Sequence, residues 1–209
     1  MKHKPLKINR DDHAASIKIN RFLSHLLTAF MLQEKSNLTV VCIGSDRSTG
    51  DSLGPLVGER LQKISSTYEL VWGTLKDPVH AVNLSEKINH IHKCKKDPFI
   101  IAIDASLGKY SDVGKIEIGK GAIQPGKAVN KNLPEVGDIY IRGVVNVGGF
   151  MEQVVLQSTR LYLVMDMAHV ISRGLLPVLM KTEGTETHGR TTNPLSKKNI
   201  ATSSPVKAD

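Results

Sequence analysis

Three acids stand where this chain could do chemistry. Asp46 and Asp51 lie in a glycine-punctuated loop, Gly44-Ser45-Asp46-Arg47-Ser48-Thr49-Gly50-Asp51-Ser52-Leu53-Gly54-Pro55. Asp104 closes a second apolar run, Pro98 to Ile103. Two carboxylates held close cannot both ionise cheaply, so one keeps its proton up to a raised pKa. Such a pair can orient a water, deprotonate it as general base and protonate a leaving group as general acid. The same oxygens could hold a divalent cation instead, and spacing alone does not separate the two.

Each acid also has a plain structural role. Asp51 or Ser52 could cap the helix that follows, a service worth about 1 kcal/mol. Asp104 could open a turn just past its strand. Asp46 could either touch a ligand or cap the turn at Arg47-Ser48. The pairing of Asp51 with Asp104 outweighs either acid alone, because residues ending neighbouring parallel strands face one crevice. Ser45 puts a hydroxyl on the same rim, and His80, after Asp77-Pro78-Val79, could reach it.

Competing chemistries find little support. There is no Gly-x-Gly-x-x-Gly and no Gly-x-x-x-x-Gly-Lys-Ser/Thr, and two acids would repel a phosphate at a helix N-terminus. No histidine has zinc-motif spacing, and no Gly-x-Ser-x-Gly elbow exists. No cofactor and no resident metal are expected.

The loop belongs to a strand–loop–helix junction, and the rest of the chain supplies its frame. Leu38 to Ile43 reads as a buried strand, and Leu53 to Ile64 as a helix with Pro55 in its first turn. Glu69 to Trp72 and Phe99 to Asp104 read as further strands, with a helix from about His80 to His90 between them. Ile17 to Leu32 has the apolar spacing of an amphipathic helix. Lys115 to Gly119 and Asp138 to Val145 alternate as half-exposed strands do, and insertions are expected around residues 108–136. A helix begins near Gly149 and runs towards Ile171, with Gly174 a stop or a kink before Leu175 to Met180. The alternation predicts a three-layer α/β/α sandwich around a mainly parallel sheet. It spans residues 17–180 as one domain, between a flexible basic N-terminus, 1–16, and a disordered polar tail, 181–209.

Composition narrows the function class. The 209 residues are 40% hydrophobic and 23% charged, as in a soluble globular chain. The net charge of +8 is concentrated at the ends: +4 in residues 1–35 and +2 in residues 181–209. With only 4% aromatics for bases to stack on, specific nucleic-acid binding is not expected. The apolar runs are too short to span a bilayer, and no signal core follows the basic start. Two cysteines, Cys42 and Cys94, make no disulfide framework, which fits a reducing, cytoplasmic compartment.

The junction Ile43 to Pro55, with Ile103-Asp104-Ala105, Gly73-Thr74 and Val147-Gly148-Gly149-Phe150, resembles the YyaC-type sporulation proteins. These are relatives of the germination protease of endospore-forming bacteria and, more distantly, of the hydrogenase maturation endopeptidases. The resemblance covers roughly residues 36–180. It implies a phosphorylase/hydrolase-like fold and an atypical aspartic peptidase in which Asp51 and Asp104 are the catalytic pair. It further implies a protein or peptide substrate, small spore proteins included, met inside the developing spore or its mother cell. In the hydrogenase endopeptidases a histidine helps the acids contact nickel, and its place here falls near Asn146. Without that imidazole a nickel site loses its soft nitrogen donor. Two alternatives stand beside the peptidase: a non-catalytic sporulation factor binding a peptide in the same crevice, and a metal-dependent maturation-type endopeptidase. The pattern assigns no oligomeric state.

Overall fold

The computed structural model describes residues 4–30, 37–125 and 134–183. Six strands form one sheet: β1 (Leu6–Asn9), β2 (Leu38–Cys42), β3 (Val71–Trp72), β4 (Phe99–Gly108), β5 (Lys115–Lys120) and β6 (Ile139–Val147). Their order across the sheet is β1-β5-β6-β4-β2-β3. The β2–β3, β2–β4 and β4–β6 pairs are parallel, and β5 runs against both of its neighbours. The helices are α1 (Ala15–Ala29), α2 (Leu53–Gln62), α3 (Leu84–Cys94), α4 (Glu152–Gln157) and α5 (Leu161–Glu183).

Side chains alternate across a strand, so each strand serves two layers. Val40 and Cys42, Ile101 and Ile103, Ile139 and Ile141, and Ile116 and Ile118 bury one face together with Leu23, Leu53, Val57 and Ile171 of the helices α1, α2 and α5. The other face packs Val41, Ile43, Ile100 and Ala102 against Leu84 and Ile91 of α3. The result is the expected α/β/α sandwich with a mainly parallel sheet. Its second helical layer is thin. The α3 face of β1, β5 and β6 carries Lys7, Glu117, Tyr140 and Arg142, which is why β5 and β6 alternate apolar with polar.

Several elements differ from their sequence reading. The composition of residues 1–16 predicts flexibility, yet Leu6–Asn9 is an edge strand paired with β5 from Leu6↔Ile118 to Asn9↔Lys115. Leu6 and Ile8 meet the main core while Lys7 and Asn9 face out. Four alternating residues become a strand only when an edge is waiting for them. β4 continues four residues past Asp104, because β6 pairs with it as far as Gly108↔Val147. Asp104 is therefore an interior strand residue. Helix α3 starts at Leu84 instead of His80, since Asn83 Oδ1 accepts the His80 N–H at 2.8 Å and holds a turn there.

The single helix expected from Gly149 is two helices, broken between Gln157 and Leu161. Gly174 does not stop α5, which continues to Glu183. It is where α1 crosses: a Cβ at Gly174 would lie 2.5 Å from Ile19 Cγ2, and Asn20 Nδ2 donates to its carbonyl at 3.3 Å. Helix α5 reaches Glu183, three residues beyond the expected domain boundary, and the rest of the tail lies outside the described residues. Leu161–Met180 is long and apolar enough to cross a membrane by length and composition, with mean hydropathy 1.4. In this fold its buried positions Val164, Met167, Ile171, Leu175 and Leu179 belong to the core.

Candidate active site

The site forms where β2 gives way to α2. Ile43 N donates to Ile103 O at 2.7 Å, and Gly44 N to Val79 O at 2.8 Å, so the chain leaves the sheet pinned on both sides. The loop closes on itself when Ser45 N donates to Asp51 O at 3.2 Å. A short 3-10 turn, Gly50–Ser52, then leads into α2. Neither acid nor serine performs the expected capping: α2 has no side-chain cap, and the Ser52 hydroxyl donates to Thr49 O at 2.7 Å. The Asp51 carboxyl is thereby released from the plain role that its position suggested.

Asp104 sits opposite Arg142 in the β4–β6 register, on the thinly covered face. Both acids line an open cavity of about 770 Å³, together with Ser45, His80, Ser106 and Arg142. Its walls come from the loop after β2, the turn at Ala81-Val82, Gln124-Pro125 and helix α4. Polar groups and apolar surface share this lining, as they do in most small-molecule and peptide clefts.

The two carboxyls are perturbed in the manner of a coupled pair. Burial pushes Asp51 up, and the Ser45 amide and the His80 ring partly offset it. Asp104 is pushed well above the usual carboxylate range, first by burial and then by the Asp51 charge, against the Ala105 amide and Arg142. Asp104 is accordingly the acid that keeps the proton, and Asp51 ionises first.

The same shifts set a stability profile. The unfolded chain loses these protons near 3.8, whereas the folded state holds them to higher pH. Each acid thus adds stability that is complete below 3.8 and is lost as pH rises through its folded midpoint. The expected result is a wild-type melting temperature that falls over this window by more than that of Asp104→Asn. Thermal unfolding of both proteins across the acid range checks it; parallel curves would contradict it.

The candidates named by sequence divide cleanly. Asp51, Asp104, Ser45 and His80 line one cavity. Asp46 is exposed and outside the lining. Asn146 also stays outside it: its amide donates to Val155 O at 3.2 Å and Thr159 Oγ1 at 3.1 Å, holding α4 and the break before α5. The donor set for nickel does not assemble here. The Asn146 amide is turned into backbone, and among the described residues no three His, Cys, Asp or Glu side chains group as metal ligands.

Sequence reasoning missed Arg142, Glu117 and Tyr140. Alternation along β6 marked 140 and 142 as outward-facing. Only the register with β4 and β5 places Arg142 opposite Asp104, with Glu117 opposite Arg142 and Tyr140 two residues along β6 on the same face.

Residues 7–174 match the model of a family described as "Protein of unknown function (DUF1256)". The chain is 51% identical over 190 residues to the uncharacterized protein YyaC of Bacillus subtilis (strain 168), covering 91% of this chain and 89% of that one. Among solved structures it is similar to the NiFe hydrogenase maturation protease HycI of Thermococcus kodakarensis KOD1. That match has a TM-score of 0.49 and 18% identity, over 74% of this chain and 99% of HycI.

Proposed function

Since the chain belongs to the DUF1256 family, we propose for it an activity read from its own site: hydrolysis of a peptide bond by Asp51 and Asp104. The observation that carries this reading is the pair itself, two carboxyls that line one cavity and are displaced upward together. Asp51, the first to ionise, takes a proton from a water held between the acids. The water oxygen bonds to the substrate carbonyl carbon, and the carbonyl oxygen becomes a hydroxyl with the Asp104 proton. The C–N bond then breaks as the amide nitrogen leaves with a proton from the pair, and the hydroxyl proton returns to it. Asp104 depends on its raised affinity for the proton, because an acid ionised at working pH has nothing to donate.

The substrate would be an extended peptide or protein segment, met in the cytoplasm of a developing spore or its mother cell. Small spore proteins are the candidates that the YyaC-type resemblance supplies. Val82 lines the cavity and is 81% exposed, and Phe150, just ahead of the lining residue Glu152, is 85% exposed. Such apolar groups at a cavity edge suit peptide side chains. They equally favour the second reading, a sporulation factor that holds a peptide without cutting it.

Incubating the purified chain with a library of unstructured peptides, with and without a chelator, separates these readings by mass spectrometry. New termini that persist under chelation are the expected result. Saturable peptide retention with no new termini supports the binding factor, and cleavage lost on chelation supports a metal-dependent endopeptidase.

A further inference from the structure

The row that contains Asp104 extends across four strands with alternating charge. Asp104 on β4 lies opposite Arg142 on β6, Arg142 opposite Glu117 on β5, and Glu117 opposite Lys7 on β1. Register partners point to the same face, so these four side chains form one line along the cavity floor towards the sheet edge. Opposite charges facing across strands support one another; here their spacing also decides who holds whom.

Glu117 is fully engaged away from Arg142. Lys7 Nζ lies 3.1 Å from Glu117 Oε2, and the Tyr140 hydroxyl donates to Glu117 Oε1 at 2.8 Å. Each carboxylate oxygen therefore has its own partner. Arg142 lies over the Tyr140 ring at 5.4 Å, and among the described residues no acid stands within ion-pair distance of it. Its guanidinium carries five N–H donors in a fixed fork, lines the cavity, and acts on both Asp104 and Glu117.

We propose that Arg142 is a positioning residue for the acid pair, kept available to Asp104 because Lys7 and Tyr140 hold Glu117 away from it. The inference rests on the acid-pair reading of the site. In that reading Asp104 must give up its proton and remain for a moment as a buried anion, and Arg142 is the cation opposite it. Strand β1, distant from both acids in sequence, thereby supports the acid pair through Lys7. The other charged groups around Asp104 are Asp51 and Arg47 in the loop before α2, His80 in the turn after β3, and Glu152 on α4. None of them shares the strand row.

The test follows the Asp104 side-chain carboxyl carbon by NMR across pH in the full chain, so it needs no substrate. The expected midpoint rises in Arg142→Gln and returns towards wild type in Arg142→Lys. It rises by less in Lys7→Gln and falls in Glu117→Gln. A merely structural role would admit water in every variant and lower the midpoint throughout. A midpoint unmoved or lowered in Arg142→Gln overturns the proposal. Should that variant fail to fold, Lys7→Gln and Glu117→Gln carry the decision: opposite shifts support it, and shifts of the same sign, or none, overturn it. Absence of peptide cleavage would sink the hydrolase while leaving this measurement intact.

Discussion

Asp104→Asn is expected to abolish peptide cleavage while leaving the fold in place, and Asp51→Asn to do the same by a different route. Asparagine has nearly the shape of a neutral carboxyl, and Asp104 is the acid that keeps its proton. The substitution therefore removes a proton donor without opening a cavity or exposing a charge. Losing general acid or base catalysis alone costs roughly 10²–10⁴ in rate. Asp51→Asn removes the base, and with it the negative charge that helps to push Asp104 up. Cleavage of a peptide found in the library screen, measured with each purified variant at matched concentration, checks both. Undiminished cleavage by either variant would remove the acid pair from the mechanism.

Gly54→Ala is expected to be strongly destabilising, although it adds only one methyl group. On helix propensity alone, alanine should be no worse than glycine in the first turn of α2. Sterics decide against it. A Cβ at Gly54 would lie 2.1 Å from the Ile43 carbonyl oxygen and 2.7 Å from its nitrogen. These are backbone atoms of the strand end, so no rotamer change relieves the clash. One turn on, a Cβ at Gly58 would lie 1.9 Å from the Gly73 carbonyl, so α2 lies flush against the sheet at two successive turns. Overpacking of this kind costs about 3 kcal/mol, or a melting temperature lower by roughly 6–12 °C for a domain of this size. Activity should fall further than stability does, because Asp51 precedes α2 by two residues and moves with it. Thermal unfolding together with cleavage measured well below both transitions tests the two parts. A melting temperature at or above wild type would show that the helix is not packed as described.

What could be read in the chain depended on how local its cause was. The junction at Val40 to Pro55 declared itself because an apolar run, a polar loop and Pro55 follow one another within a few residues. The acids Asp51 and Asp104 were legible for the same reason, and the parallel β2–β4 pair brings them to one cavity. Elements created by a partner were not legible. Residues 6–9 are too few to announce a strand, and it takes the β5 edge to make them one. Gly174 reads as a helix stop until Ile19 of α1 is found against it. Asn146 was placed in the site by resemblance, but its amide serves the backbone of α4. Arg142 looked like an ordinary outward-facing charge. Only the register of three strands shows what it faces.

The proposed chemistry requires Asp51 and Asp104 to titrate as one coupled pair. The most direct measurement is the pH titration of both side-chain carboxyl carbons in the intact wild-type chain, repeated for Asp104 in Asp51→Asn. Two separated steps are expected, with Asp51 ionising first and Asp104 well above the usual carboxylate range. The Asp104 midpoint should also fall once the Asp51 charge is gone. Two independent titrations in the ordinary carboxylate range, with Asp104 indifferent to the substitution, would contradict it.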